Sequence, residues 1–148
     1  MTQVLAPCPG RVIAVTDVPD PVFAAEMVGP GVAIEPTGEV VTVVAPIAGR
    51  VLKLHPHAFV VLGDGGIGVL VHLGINTVRL EGRGFELLAT EGDTVAAGDP
   101  MVRWDPSTVD GEDMSTVVPV VVMDRPKGSV AAPAPDLVVA TGDPLFTA

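Results

Sequence analysis

The chain has 148 residues, a length typical of one domain, and 18 acidic against 8 basic side chains give it a formal charge of −10. This acidity argues against nucleic acid and against anionic membrane surfaces as partners, because both attract clustered cations. Hydrophobic residues make up 48% and charged residues 18%, which predicts a packed core. The single cysteine, Cys8, excludes an internal disulfide and a multi-cysteine metal site.

No stretch of the sequence predicts a membrane-spanning helix. The longest run without Asp, Glu, Lys or Arg covers residues 65–78, and it is too short and too rich in glycine to cross a bilayer. The first basic residue is Arg11, so the beginning of the chain does not predict a secretion signal. We therefore expect a cytoplasmic protein with no direct membrane insertion.

Short Val-rich runs separated by Gly and Pro recur along the chain, and 17 glycines and 15 prolines disfavour long helices. Runs of this length and spacing predict an all-β fold over residues 1–148, an antiparallel β-sandwich or barrel with only short helical turns. The predicted strands are Arg11–Thr16, Val32–Glu35, Val40–Val44, Arg50–Leu54, Ala58–Leu62, Ile67–Leu73, Met101–Trp104, Val117–Val122 and Leu137–Ala140.

One segment carries clear helix signals. Asp20 suits an N-cap, Pro21 suits the first helical position, and Gly29 suits the end, so a helix is predicted between them. Residues 84–90 and 106–113 are each predicted to hold a helical turn or two.

Two sequence motifs occur twice. Residues 6–15 (APCPGRVIAV) recur as residues 45–54 (APIAGRVLKL), and residues 95–101 (VAAGDPM) recur as residues 139–145 (VATGDPL). Both copies of the first motif precede both copies of the second. This order predicts an internal pseudo-duplication in which two related β-units interlock. The alternative is that both motifs are merely common turn sequences.

The three histidines, His55, His57 and His72, lie in the middle of the chain around a predicted hairpin. Two apolar runs flank Asp64-Gly65, which is a strong hairpin-turn sequence. A turn centred on these two residues places His57 directly opposite His72, with their Cβ atoms about 5 Å apart.

The same register predicts the two faces of the hairpin. The histidine face carries, besides His55, three apolar residues: Phe59, Val61 and Leu70. The opposite face, which would pack in the core, carries Ala58, Val60, Leu62, Ile67, Val69 and Val71.

Two touching imidazoles in apolar surroundings have a specific chemical use. Their mutual repulsion keeps at least one ring unprotonated near neutral pH. An unprotonated ring nitrogen is a nucleophile, and the neighbouring ring can donate a hydrogen bond to a developing oxyanion. The alternatives are zinc binding, for which His57 and His72 are possible ligands, and an ordinary polar role without function.

Eight stretches carry a family resemblance between residues 6 and about 105, roughly two-thirds of the chain. They are residues 6–10 (APCPG), 17–24 (DVPDPVFA), 29–36 (GPGVAIEP), 44–49 (VAPIAG), 57–59 (HAF), 71–78 (VHLGINTV), 81–85 (EGRGF) and 92–95 (GDTV). With them the chain resembles the glucose-family enzyme IIA component of the bacterial phosphoenolpyruvate-dependent sugar phosphotransferase system. The resemblance implies an antiparallel β-sandwich with a shallow active site.

The resemblance also implies a function. His72 corresponds to the histidine that accepts the phosphoryl group in the family, and His57 corresponds to the histidine that supports it. The phosphoryl group would arrive from the phosphocarrier protein HPr. It would leave to a cysteine on the enzyme IIB domain of a glucose or N-acetylglucosamine permease. No cofactor is implied and no metal is required.

A docking surface for these partners is implied beside the histidines. Asp20 corresponds to an acid that can meet a basic residue of the donor. Six residues would provide an apolar border: Val22, Phe23, Met27, Val28, Phe59 and Leu70.

Two residues beside the site depart from the family pattern, and we expect both to support it. His55 stands where Thr is common, so a hydroxyl group is replaced or the ease with which His57 loses its proton is changed. Asn76 stands where Asp is frequent, which removes one negative contact for a basic partner and keeps a polar one.

Three other functions are alternatives. A LytM-type zinc metallopeptidase has a similar fold and a His-x-His pair, which residues 55–57 match, but no histidine precedes them to serve as the first ligand. A biotinyl or lipoyl carrier needs a lysine at a hairpin tip, and neither Lys53 nor Lys127 lies at such a turn. A regulator of the same fold would bind partners without phosphorylation of His72.

Overall fold

A computed structural model describes residues 2–148, in which thirteen short β-strands and one short α-helix are formed. The strands are β1 (Gln3–Leu5), β2 (Gly10–Ala14), β3 (Gly31–Pro36), β4 (Val41–Val44), β5 (Gly49–His55), β6 (Ala58–Leu62), β7 (Gly68–His72), β8 (Phe85–Leu87), β9 (Thr94–Val95), β10 (Pro100–Trp104), β11 (Val118–Val122), β12 (Val138–Val139) and β13 (Pro144–Thr147). The helix α1 is Pro21–Ala24, and single 3₁₀ turns lie at Val15–Asp17, Asp64–Gly66, Thr77–Leu80 and Pro106–Thr108. No helix in this part of the chain is long and apolar enough to cross a membrane.

The strands form an antiparallel β-sandwich, which confirms the predicted all-β class. Eight strands pair in the order β12-β2-β3-β11-β7-β6-β5-β9, three pair in the order β4-β10-β8, and β1 pairs with β13. The main core joins side chains from all three sheets, among them the fully buried Val4, Phe59 and Trp104. Burial of these apolar surfaces is the main favourable contribution to folding.

The central strand β11 is covered on both faces, which explains its unbroken apolar sequence. Val118, Val120 and Val122 point into the main core, whereas Val121 belongs to a second apolar cluster on the outer face of the eight-stranded sheet. This second cluster includes Phe23 of α1. It therefore fixes the helix against the sheet next to β7.

Asp20 begins α1 as predicted, but the helix is shorter than the sequence indicates. It ends at Ala24 because Glu26 adopts a left-handed conformation (φ 56°), and the N–H of Met27 then bonds back to a carbonyl of the first turn. Gly29 does not end the helix but permits a close approach. A Cβ at this position would lie 1.9 Å from the carbonyl oxygen of Val122.

The nine predicted strands are present, but the other two predicted helical segments have different outcomes. Residues 84–90 contain the strand β8, because their backbone pairs with β10. Residues 106–113 begin with a single 3₁₀ turn. The strands β1, β8, β9 and β13 were not predicted, since each has only two to four residues and pairs with a distant segment.

The repeated motifs meet across the molecule. The N–H of Ala6 donates to the carbonyl of Asp143, and the N–H of Ala45 donates to the carbonyl of Asp99, each at 2.8 Å. Likewise β12 lies beside β2 as β9 lies beside β5. Residues 6–15 are thus bonded to residues 139–145, and residues 45–54 are bonded to residues 95–101. Each bond joins the first copy of one motif to the second copy of the other motif, which confirms two interlocked units.

Candidate functional site

His72 is the last residue of β7, and the turn that follows fixes its ring. Its Nδ1 lies 2.5 Å from the carbonyl oxygen of Gly74. A carbonyl oxygen can only accept a hydrogen bond, so Nδ1 carries a proton and donates it. In the neutral ring this tautomer leaves Nε2 with an unshared electron pair.

The backbone of this turn is itself tightly held. Gly74 has φ 83°, and a Cβ on it would lie 2.5 Å from the side chain of Thr77 and 2.7 Å from the carbonyl oxygen of Ser115. Thr77 is fully buried, and its hydroxyl donates a 2.6 Å hydrogen bond to the carbonyl of Leu73. Gly74 and Thr77 were not predicted to shape the site, and the signal for them in the sequence is their position two and five residues after His72.

The ring of His72 is neutral at neutral pH. Burial lowers its pKa below the ordinary value of 6.5, while the hydrogen bond to Gly74 and the charge of Asp20 raise it by less. The ring of Phe23 contributes to this burial, since it packs edge-on with its centroid 5.3 Å from that of His72. A neutral ring with a free Nε2 is the form that reacts as a nucleophile.

His57 lies beside His72, but the predicted register is wrong by one residue. The residue paired with His72 is Ala58. The connection between β6 and β7 has five residues, 63–67, instead of two or four. Two consecutive glycines in it, at φ 74° and 80°, allow the extra residue.

This shift exchanges the faces of β6. Phe59 and Val61 are fully buried in the main core. The prediction that they border the site is therefore wrong, and Phe59 is not available to a docking partner. Ala58 and Val60, expected in the core, lie instead on the face that carries Leu70.

His57 reaches the site from a hairpin turn and not from a strand. β5 pairs His55 with Ala58, which leaves His57 in the two-residue turn between them. Its carbonyl accepts a 2.7 Å hydrogen bond from the N–H of Leu73, and its ring meets that of His72 edge-on, with centroids 5.3 Å apart and planes at 72°. The two imidazoles are therefore adjacent, as the sequence predicted, although for a different reason.

The pKa of His57 is lowered to about 4. The largest cause is burial, followed by repulsion from His72 and from His55. His57 is therefore neutral at neutral pH, with one ring N–H that can donate and one ring nitrogen that can accept. The pair offers a nucleophilic nitrogen on one ring and a hydrogen-bond donor on the next.

Helix α1 borders the pair with apolar side chains. Val22 and Met27 are 44% and 75% exposed, and Val28 is half-buried. Phe23 is only 7% exposed because it packs both on His72 and in the second apolar cluster. The carboxylate of Asp20 accepts hydrogen bonds from two backbone N–H groups of the helix, which holds this acid next to the site.

The loop after β7 forms the other border. Asn76 has φ 61°, and its side-chain N–H donates a 2.7 Å hydrogen bond to the carbonyl of Asp113. Arg79 forms an ion pair with the carboxylate of the same Asp113. Val78 is 58% exposed on this loop. It is an apolar surface residue that was not predicted to border the site.

Within residues 2–148, no group of three or more His, Cys, Asp or Glu side chains is arranged to hold a metal ion. A shallow depression of about 330 Å³ lies between β8 and β10, with Arg103 among its lining residues. None of the residues around the paired histidines lines it. The paired histidines and their apolar border are thus the candidate site.

Fold and site together define an all-β protein that presents two adjacent neutral histidines on a shallow apolar surface. A family model described as phosphoenolpyruvate-dependent sugar phosphotransferase system, EIIA 1, matches residues 2–127. The chain belongs to this family, and it is a phosphotransferase relay protein that carries a phosphoryl group in sugar uptake. Family membership implies interaction with HPr and with an EIIB domain.

Individual relatives agree with the family model. The chain is 43% identical over 122 residues to the PTS system glucose-specific EIIA component of Staphylococcus aureus, which covers 80% of this chain and 72% of that protein. The component of the same name from Staphylococcus epidermidis is 40% identical over 123 residues, and the match covers 81% of this chain and 72% of that protein. The solved structure of glucose permease IIA from Mycoplasma capricolum matches with a TM-score of 0.85 and 32% sequence identity, and the match covers 97% of this chain and 93% of that one. These matches support the phosphocarrier function and not the metallopeptidase alternative.

Proposed function

We propose that His72 carries the phosphoryl group on Nε2, that His57 supports it, and that the group passes from phospho-HPr to the cysteine of an EIIB domain. The hydrogen bond between Nδ1 of His72 and the carbonyl of Gly74 is the observation that carries this proposal. It assigns the ring proton to Nδ1 and leaves Nε2 free to react.

In the first step, the electron pair of Nε2 on His72 attacks the phosphorus atom of the phosphohistidine of HPr. The bond from phosphorus to the HPr ring nitrogen breaks, and that nitrogen takes the electron pair. No proton moves on His72, because Nδ1 keeps its proton and continues to donate it to the carbonyl oxygen of Gly74. The phosphorylated ring is then cationic, and the Gly74 carbonyl and the carboxylate of Asp20 stabilise it.

In the second step, the thiolate of the EIIB cysteine attacks phosphorus, and the bond to Nε2 of His72 breaks. His57 donates a hydrogen bond to the phosphoryl oxygens, which holds the group in line for transfer. The apolar side chains of Val22, Met27 and Leu70 keep water away from the phosphohistidine while a partner is docked, and this limits hydrolysis.

The partners and the location follow from the same proposal. Relatives 40–43% identical to this chain are named glucose-specific, which supports a glucose permease, or one for N-acetylglucosamine, as the final acceptor. Residues 1–148 act as one EIIA domain in the cytoplasm, and the mechanism uses no cofactor. Asp20 meets a basic residue of HPr at the edge of the site.

Intact-mass spectrometry after incubation with phosphoenolpyruvate, enzyme I and HPr tests the proposal. We expect the protein to gain one phosphoryl group, which acid removes and which the His72→Ala variant does not acquire. A protein that gains no phosphoryl group beside fully charged HPr would instead be a regulator that binds its partners only.

A further inference from the structure

A third histidine, His55, lies in line with the proposed pair. β5 pairs His55 with Ala58, and β7 pairs His72 with the same Ala58. Residues paired across neighbouring strands share one face, and such strands lie about 4.8 Å apart. His55 and His72 therefore stand roughly 10 Å apart on one face, with only the small side chain of Ala58 between them.

The ring of His57 occupies this gap. It stacks on His55 with centroids 5.9 Å apart and planes at 23°, and it meets His72 edge-on at 5.3 Å. Among the hydrogen bonds of residues 2–148, none involves a ring nitrogen of His57. The two neighbouring rings therefore fix the plane of the His57 ring, one from each side.

We propose that His55 is a positioning residue, whose ring holds that of His57 in the orientation that directs it at a phosphoryl group on Nε2 of His72. This inference rests on the function proposed above for His57 and His72. In this chain, the contribution of position 55 is a flat ring that stacks on His57. A charge or an exchangeable proton is not required, since His55 reaches the phosphoryl group only through His57.

The exposure of the three rings agrees with this role. His55 is exposed, whereas His57 and His72 are half-buried, so His55 forms the outer layer of the row. Its stacked ring covers one side of His57. Without it, the turn residue His57 would keep a ring contact on one side only and would rotate more freely about its side-chain bonds.

Three variants separate stacking from proton transfer. His55→Ala removes the ring, His55→Phe keeps a flat ring without nitrogen, and Arg50→Ala changes an exposed residue on the same strand as a control. For each, the nuclear Overhauser contacts between the ring protons of His57 and His72 are followed by NMR. The rate of phosphoryl transfer from the charged protein to an EIIB domain of a glucose permease is measured on the same samples.

We expect His55→Ala to weaken the nuclear Overhauser contacts between the His57 and His72 rings and to slow transfer by about tenfold, since small misplacements of catalytic groups are costly. His55→Phe should restore the rate to within about twofold, because an aromatic ring still stacks. Arg50→Ala should change neither quantity.

Two outcomes would overturn the proposal. A His55→Ala protein that transfers at the wild-type rate shows that the ring at position 55 has no positioning role. A His55→Phe protein as slow as His55→Ala shows that the nitrogen atoms of His55 are needed. If the wild-type protein takes up no phosphoryl group at all, the proposed function fails, and the NMR comparison still decides whether His55 orients His57.

Discussion

The carbonyl oxygen of Gly74 lies 2.5 Å from Nδ1 of His72, and this one contact determines which nitrogen of the ring is free. The carbonyl can be placed there because Gly74 adopts φ 83° in a turn that leaves no room for a side chain. The chemistry of the site thus depends on a backbone conformation that only glycine adopts without strain.

Gly74→Ala tests this dependence. The added Cβ would strain the backbone and would clash with Thr77 and with the carbonyl of Ser115, so we expect the free energy of unfolding to fall by about 2–4 kcal/mol. Gly38→Ala is a matched control, because Gly38 has φ 92° but nothing within 4 Å of the added atom. It should cost only about 1 kcal/mol. Chemical denaturation measures the free energy of unfolding of both variants, and an equal loss in the two would contradict the clash at Gly74.

His57→Gln separates the two proposed steps of the relay. Nε2 of His72 remains free in this variant, so uptake of the phosphoryl group from HPr should persist. Onward transfer to the EIIB domain should slow by about a hundredfold, because the ring that directs a hydrogen bond at the phosphoryl oxygens is lost. Rapid-quench measurements of uptake from HPr and of transfer to the EIIB domain, made on one preparation, check that His57 acts mainly in the second step. Wild-type rates for onward transfer would refute it.

The pKa values of the pair predict a dependence of stability on pH. Burial holds the pKa of His57 at about 4 and also lowers that of His72, so the folded protein takes up these protons less readily than the unfolded chain. The free energy of unfolding should therefore fall as pH decreases from 6.5 towards 4, and the contribution of His57 should level off below about 4.

NMR titration of the histidine rings checks this directly, and the His57→Gln variant should show a smaller loss of stability over the same interval. A midpoint for His57 near the ordinary value of 6.5 would contradict the burial argument.

Met27→Glu tests the apolar border of the site. Met27 is 75% exposed, so its replacement should leave folding intact, while an added carboxylate in a desolvated contact should raise the Kd for HPr by about tenfold. Val138→Glu is the matched control, since Val138 is also 75% exposed but lies on β12. Calorimetric titration with HPr compares the two. The border assignment is refuted if both variants bind equally well.

Asn76→Asp tests the departure from the family pattern. A carboxylate at this position should increase the association rate with a basic partner several-fold at low ionic strength. It cannot donate to the carbonyl of Asp113, so the free energy of unfolding should fall by about 1 kcal/mol. Gln3→Glu adds the same charge on β1 and should leave association unchanged. Stopped-flow association at two salt concentrations distinguishes the variants.

The meeting of the two histidines could be predicted from the sequence, but its geometry could not. The apolar runs around Asp64-Gly65 indicated a hairpin correctly, whereas the register depended on how many residues the connection uses. Two consecutive glycines can take positive φ in turns of several lengths, and packing of Phe59 in the core selects among them. The adjacency survived the error because His57 lies in a turn, outside the alternation of the strand.

The sequence was also less informative about where elements end. Asp20 and Pro21 marked the start of α1, but its end depends on a left-handed Glu26, a residue type with no strong preference for that conformation. Strand β8 was mistaken for a helical turn, since its three residues are extended only through their pairing with β10. Tertiary contacts, more than local propensity, determine such short elements.

The bonds between repeated motifs have a consequence for synthesis of the chain. The N–H of Ala6 donates to the carbonyl of Asp143, and β1 pairs with β13. β1 therefore cannot form this pairing until residues 144–147 have left the ribosome. Until then the buried Val4 and Cys8 lack part of their final covering, so any slowing of translation before residues 144–147 prolongs the exposure of this apolar segment.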